Sequence, residues 1–179
     1  MVRQGRGRPF PPSPRPLRWG PGAASVVPFV PLTMSDLMSE WSTNFGLAWL
    51  ALGVAFGLHV ADETAHDFLA WYNPIARRLR RFTGVFRFPP IFTFWAWLVG
   101  LAAVTAVVLA LTPWAFERRP LMRPLAIAFA GINTGNGLLH IVAAVTSRRR
   151  VPGVLSAPLL LAASLWVLTA AAHPAEAAP

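Results

Sequence analysis

The stretch AWLALGVAFGLHVADETAH, residues 48–66, decides the fold class of this chain. It begins as an unbroken apolar run, and no charged side chain occurs from Ser42 to Ala61. An uncharged apolar window of about 19 residues is typical of a helix that spans a membrane. This run then ends in ionisable side chains, among them His59, Asp62 and Glu63. The stretch therefore predicts a membrane helix that carries a polar site near one end.

The composition of the whole chain agrees with a membrane location. The chain has 179 residues, of which 55 % are hydrophobic and only 13 % are charged. An average soluble domain has about 25 % charged residues, so these charges are too few to cover a soluble surface. The absence of cysteine excludes a disulfide framework and thiolate chemistry. No glycine-rich phosphate loop and no serine-hydrolase elbow occurs in the sequence.

Four apolar runs predict an all-α protein, a four-helix transmembrane bundle. The runs are too long and too continuously apolar for the strands of a membrane barrel, which alternate over about ten residues. A short amphipathic helix is predicted at 74–82, between the first two runs. The predicted runs are 41–71, with its uncharged part at 42–61, then 91–112, 124–147 and 154–172.

The two ends of the chain differ in composition from the apolar part. Residues 1–33 hold eight prolines and five arginines and no acidic residue, which predicts a disordered extension. Met34 opens a polar segment that leads into the first apolar run, and we expect it to be the biological start. The predicted transmembrane domain is then 34–173, followed by a flexible tail at 174–179.

The arginines lie in the tail and in the loops between apolar runs, which argues against a nucleic-acid partner and for the lipid bilayer. The loop after the first run and the loop after the third carry eight arginines together, against three in the second loop. By the positive-inside rule, loops one and three are expected to be cytoplasmic, in the inner membrane of a bacterium. The eight are Arg77, Arg78, Arg80, Arg81, Arg87, Arg148, Arg149 and Arg150.

Two polar stripes are predicted to face each other inside the bundle. His59, Glu63 and His66 follow an i, i+4, i+7 spacing and so share one side of a helix. Charged groups at the centre of a membrane helix are costly unless they are paired, hydrated or bound to a metal. At 1.5 Å per residue, Glu63 and His140 lie about 10 Å from the same predicted membrane face. The second stripe consists of Asn133, Asn136, Gly137 and His140.

At these residues the sequence resembles the HXXEE-domain family of small multi-pass membrane proteins. The signature segment is His59-Val-Ala-Asp62-Glu63, in which Asp62 stands at the first glutamate of the motif. The segment from Asn136 to His140 and the later Pro152-Gly153 resemble further family features. The resemblance covers about 34–168 and implies a multi-pass helical fold with His59, Asp62, Glu63 and His140 at its polar site.

Three functions remain open from the sequence. In the first, His59, Glu63, His66 and His140 bind a single Zn, Fe or Mn ion, with Asn133 and Asn136 orienting the ligands. In the second, Glu63 and Asp62 act as metal-free acid and base on a lipid-like substrate. A slight similarity to emopamil-binding-type sterol isomerases, which place acidic groups inside the membrane, favours this alternative.

In the third, the polar residues form a non-catalytic packing network or a path for protons or solutes. Whether the chain is an enzyme therefore stays open. A homodimer is an added hypothesis, because Gly131 and Gly135 form a small-xxx-small pattern.

Overall fold

The computed structural model describes residues 34–85 and 87–172, with side chains from Asn44 onward. In this part of the chain all regular structure is helical and no strand occurs, which confirms the predicted all-α class. The predictions for 1–33 and for 174–179 lie outside the described residues. The six helices are α1 Met34–Ala65, α2 Phe68–Thr83, α3 Phe94–Ala110, α4 Thr112–Phe116, α5 Met122–Ser147 and α6 Ala157–Ala172.

The first apolar run is divided between two helices. α1 ends at Ala65, and Asp67 adopts a left-handed conformation with φ 53°, which breaks the helix before α2 begins at Phe68. Aspartate tolerates this conformation better than most residues with a Cβ, since its short polar side chain bonds locally. The predicted amphipathic helix at 74–82 is therefore longer, and its first turns contain the aromatic end of the first run.

The four runs correspond to α1, α3, α5 and α6, but two of these helices are short. Asn44–Ala65 and α5 are long and apolar enough to cross a membrane, judged by length and composition. α3 has 17 residues and α6 has 16. α6 starts after the predicted boundary because Gly153, with φ 82°, turns the chain before the helix begins.

α6 lies between α1 and α5. It contacts both α1 and α5 extensively, whereas α1 and α5 meet each other at few positions. α3 and α4 pack on another side of α1, where the indole N–H of Trp49 donates a buried hydrogen bond to the Val108 carbonyl at 2.8 Å. The turn before α6, which contains Gly153, lies between the polar end of α1 and the polar end of α5.

Candidate metal centre

Three ionisable side chains meet in the interior between α1 and α5. The relative exposures of His59, Glu63 and His140 are 0 %, 4 % and 1 %. Glu63 Oε1 lies 3.1 Å from His140 Nε2 and 3.5 Å from His59 Nε2. The predicted stripes on the two helices thus come together at these residues, which we call the His–Glu–His cluster.

The local sequence explains why the donor atoms converge. His59 and Glu63 are four residues apart on α1 and so project from the same face of that helix. His140 comes from α5, and its ring packs edge-on against the ring of His59, with centroids 4.8 Å apart. A side chain at Gly153 would have no room, because a Cβ there would lie 2.9 Å from Cε1 of each histidine and 3.0 Å from Glu63 Cγ.

The spacing of the donor atoms matches the coordination sphere of a small metal ion. One donor atom from each of the three residues lies within 4.8 Å of the others. Ligands held at about 2.0–2.2 Å from one tetrahedral ion are about 3.3–3.6 Å apart, close to the two Glu63 distances of 3.1 Å and 3.5 Å. Two imidazoles with one carboxylate are a ligand set that zinc and non-haem iron both accept. The cluster could therefore hold a single ion with little rearrangement.

His59 has two further polar contacts outside the cluster. Its Nδ1 lies 2.9 Å from the hydroxyl of Ser156, in the turn before α6. Its Nε2 lies 3.2 Å from Nδ2 of Asn136, which belongs to the predicted stripe on α5. Asn136 is therefore adjacent to the cluster, in a place suited to orienting His59 or a bound ligand.

Asp62 lies next to Glu63 in sequence, but its carboxylate faces away from the cluster. Oδ2 accepts hydrogen bonds from the Ser156 backbone N–H at 3.0 Å and from the Ser156 hydroxyl at 2.8 Å. Oδ1 lies 2.8 Å from Nδ1 of His66. The carboxylate thus ties the end of α1 to the start of α6, and a direct role in the reaction stays a prediction.

The structure does not bring His66 or Asn133 into the cluster. His66 follows the last residue of α1, its side chain is 45 % exposed, and its Nδ1 bonds to Asp62. The i+7 spacing places it on the stripe only if α1 continues, and α1 ends at Ala65. Asn133 is buried, but its amide donates to the Phe129 carbonyl one turn earlier at 2.9 Å.

Aromatic side chains pack around His140. The rings of Phe68 and Trp71, from the start of α2, lie 5.9 Å and 6.0 Å from the His140 ring. Phe68 also stacks on the buried Trp97 of α3 at 5.6 Å. Nδ1 of His140 is buried and finds no hydrogen-bond partner among the described residues. Aromatic rings therefore surround the Nδ1 side of this imidazole, while its Nε2 contacts Glu63 Oε1 at 3.1 Å.

Two residues at the site are not evident from the sequence pattern. Ser156 was not predicted, although a serine just before an apolar helix is a common capping signal. Gly153 belongs to the Pro152-Gly153 segment of the family resemblance, but its position against the cluster depends on how the chain turns into α6 between α1 and α5.

Comparison with known proteins gives one family. No curated protein and no solved structure matches the chain. Residues 49–167 match the family described as "Protein of unknown function with HXXEE motif", a range that contains the whole His–Glu–His cluster. The matched range covers most of the chain and begins and ends within helices that build the site, so the protein belongs to the HXXEE family.

Proposed function

We propose that the protein is an integral membrane protein in which His59, Glu63 and His140 bind a single divalent transition-metal ion. The observation that carries the proposal is the convergence of three buried donor atoms from two helices. Buried carboxylates and imidazoles are rare in apolar surroundings unless charge partners or metals compensate their desolvation. A divalent ion supplies that compensation at the point where all three donors meet.

The ligand set suggests what the ion would do. Three protein ligands leave at least one position for water or substrate, which is the arrangement of catalytic rather than structural zinc sites. The same two-histidine, one-carboxylate set is also used by non-haem iron enzymes. We infer a Lewis-acid or redox centre, with Zn, Fe and Mn as the candidate ions. Apolar surroundings favour a lipid-like substrate.

The membrane location rests on the helices that carry the cluster. Among the described residues, Asn44–Ala65 and α5 are the stretches long and apolar enough to cross a membrane, and each contains residues of the cluster. Exposed leucines, valines and isoleucines occur along both, for example Leu58 and Val142 at 51 % and 54 % exposure. Acyl chains would cover such side chains. We propose that the cluster lies below the cytoplasmic surface of the bilayer.

Metal analysis of purified protein tests the proposal. Full-length protein would be purified in detergent without chelators, loaded with Zn²⁺, Fe²⁺ or Mn²⁺, and analysed by mass spectrometry for bound metal. We expect about one ion per chain, and at least a tenfold lower affinity in His59→Ala and His140→Ala, because each loses one of three ligands.

His66→Ala is the matched control, since it removes a histidine from the same segment but outside the cluster. It should keep the affinity of the wild-type protein. Wild-type protein that takes up no stoichiometric metal would refute the proposal, as would a His66→Ala variant that alone loses the ion.

The alternative is metal-free acid–base chemistry at the same residues. The short contact between Glu63 and His140 Nε2, 3.1 Å, favours it, since a carboxylate and an imidazole at hydrogen-bond distance can share a proton. This alternative predicts turnover of a lipid-like substrate in chelator, lost in Glu63→Gln. Turnover that requires added metal would favour the metal centre instead.

A further inference from the structure

Ser156 lies between Asp62 and His59, and the hydrogen bonds around it have only one consistent direction. Its hydroxyl has one proton to donate and three polar neighbours, Asp62 Oδ2 at 2.8 Å, His59 Nδ1 at 2.9 Å and the Gly153 carbonyl at 3.2 Å. Of these three, only the imidazole can also act as a donor. An ionised carboxylate and a carbonyl accept hydrogen bonds but cannot donate them. The Ser156 proton is therefore used on one of these oxygens.

The contact between Ser156 and His59 must then run the other way. Ser156 Oγ lies 2.9 Å from His59 Nδ1, and with its own proton engaged it can only accept there. His59 Nδ1 therefore carries a proton. In a neutral imidazole the other nitrogen, Nε2, then has a free lone pair.

A second contact independently agrees with this protonation. Nδ2 of Asn136, an amide donor, lies 3.2 Å from His59 Nε2, which fits a lone pair at that nitrogen. The same Nε2 is the atom that faces Glu63 Oε1. The Nε2 lone pair of His59 thus lies at the cluster, where it accepts a hydrogen bond from Asn136 in the absence of a metal.

We propose that Ser156, held by Asp62, is a positioning residue that fixes His59 in its Nδ1–H form and aims the Nε2 lone pair at Glu63 and His140. The Nδ1–H form of His59 does not depend on the proposed function. Only the further step, in which the Nε2 lone pair binds a metal, rests on it. It assigns Asp62 a role that does not require contact with the reacting atoms. Partners that hold the second nitrogen of a ligand histidine commonly contribute 10- to 100-fold to metal affinity.

Only His59 has such a partner. Nδ1 of His140 has none among the described residues and is surrounded by aromatic rings. Of the two histidines in the cluster, His59 is therefore the one whose donor atom is preset before a ligand arrives.

Nitrogen-15 NMR of histidine-labelled, full-length, metal-free protein in detergent tests the inference. The His59 signal is identified by its loss in His59→Ala. We expect the Nδ1–H form in the wild-type protein and a shift toward the Nε2–H form in Ser156→Ala. Ser156→Thr keeps the hydroxyl and should restore the wild-type form. If Ser156→Ala does not fold, Ser156→Cys replaces it in the test. Its thiol is of similar size but accepts hydrogen bonds poorly, so we expect the same shift toward the Nε2–H form.

Ser164→Ala is the matched control, because Ser164 is a buried serine of α6 whose hydroxyl bonds to the Leu160 carbonyl, away from the cluster. Zinc titration should show 10- to 100-fold weaker binding in Ser156→Ala and wild-type affinity in Ser164→Ala. An unchanged His59 signal in Ser156→Ala would overturn the inference. If Ser156→Ala loses the Nδ1–H form but the wild-type protein binds no metal, the inference about His59 stands and only the proposed function is refuted.

Discussion

Gly153 shows how closely single residues are packed around the cluster. Its positive φ of 82° disfavours any side chain, and a Cβ there would press on His59, His140 and Glu63 together. Gly84 has a similar φ of 69°, but a Cβ there meets nothing within 4 Å among the described residues. A substitution at Gly84 therefore tests backbone strain alone, whereas one at Gly153 tests backbone strain together with packing against the cluster.

We predict that Gly153→Ala weakens metal binding at least tenfold, whereas Gly84→Ala leaves it unchanged. Both variants should lose about 1 kcal/mol of stability from the left-handed backbone, and Gly153→Ala should lose about 1–3 kcal/mol more from overpacking. Thermal unfolding and zinc titration in detergent measure the two effects. Equal metal affinities in the two variants would contradict close packing of Gly153 against the His–Glu–His cluster.

Much of the cluster could be predicted from residue spacing. His59 and Glu63 are one helical turn apart, and the depth of His140 on a second helix matches theirs, so their meeting follows from helix geometry. His66 was expected with them because the spacing was extended past Ala65, where the helix ends. The break is encoded in Asp67, whose left-handed backbone conformation is not evident from an apolar pattern.

At the scale of the helix, α5 contains glycines in two different surroundings. A Cβ at Gly137 would lie 3.2 Å from the Ala157 carbonyl of α6, while one at Gly135 meets nothing within 4 Å among the described residues. The sequence predicts close helix approach at Gly135, through the small-xxx-small pattern that it forms with Gly131. Of these two glycines, Gly137 is the one that lies against another helix among the described residues, so a dimer through the Gly131–Gly135 face stays a prediction.

We predict that Gly135→Ala stabilises the protein by up to about 1 kcal/mol, the usual gain when alanine replaces glycine in a helix. Gly137→Ala should instead be about 1–3 kcal/mol less stable than Gly135→Ala, because a backbone carbonyl cannot move aside easily. Thermal unfolding of both variants in one detergent is the measurement. Equal stabilities would argue against the close contact of α5 with α6.

The apolar pattern predicted which segments are helical but not where each helix ends. Asp67 and Gly153 both adopt positive φ, and each moves a boundary away from the edge of its apolar run. Hydropathy averages over many residues, whereas a helix boundary depends on the backbone conformation of one. The position of α6 between α1 and α5 is also not predictable, since apolar helices without a distinct polar face can pack in several orders.

At the scale of the whole molecule, the arginine-rich loops make the orientation testable. The chain has no cysteine, so single cysteines can be introduced without background. We predict that the new thiols of Arg78→Cys and Arg149→Cys react with a membrane-impermeant maleimide only after the cytoplasmic side of the membrane is exposed. Both positions lie in the arginine-rich loops that the positive-inside rule places in the cytoplasm. The thiol of Arg119→Cys, in the second loop, should react in intact spheroplasts, because that loop is expected on the opposite side of the membrane. Labelling of 78 and 149 from opposite sides would contradict the topology.

X-ray absorption spectroscopy of the zinc-loaded, full-length protein tests the metal centre most directly. We expect one zinc ion per chain with two imidazoles and at least one carboxylate oxygen at about 2.0–2.2 Å, and loss of the imidazole scattering in the His59→Ala, His140→Ala double variant. A zinc spectrum without imidazole ligands, or one that the double variant leaves unchanged, would contradict a metal site at His59, Glu63 and His140.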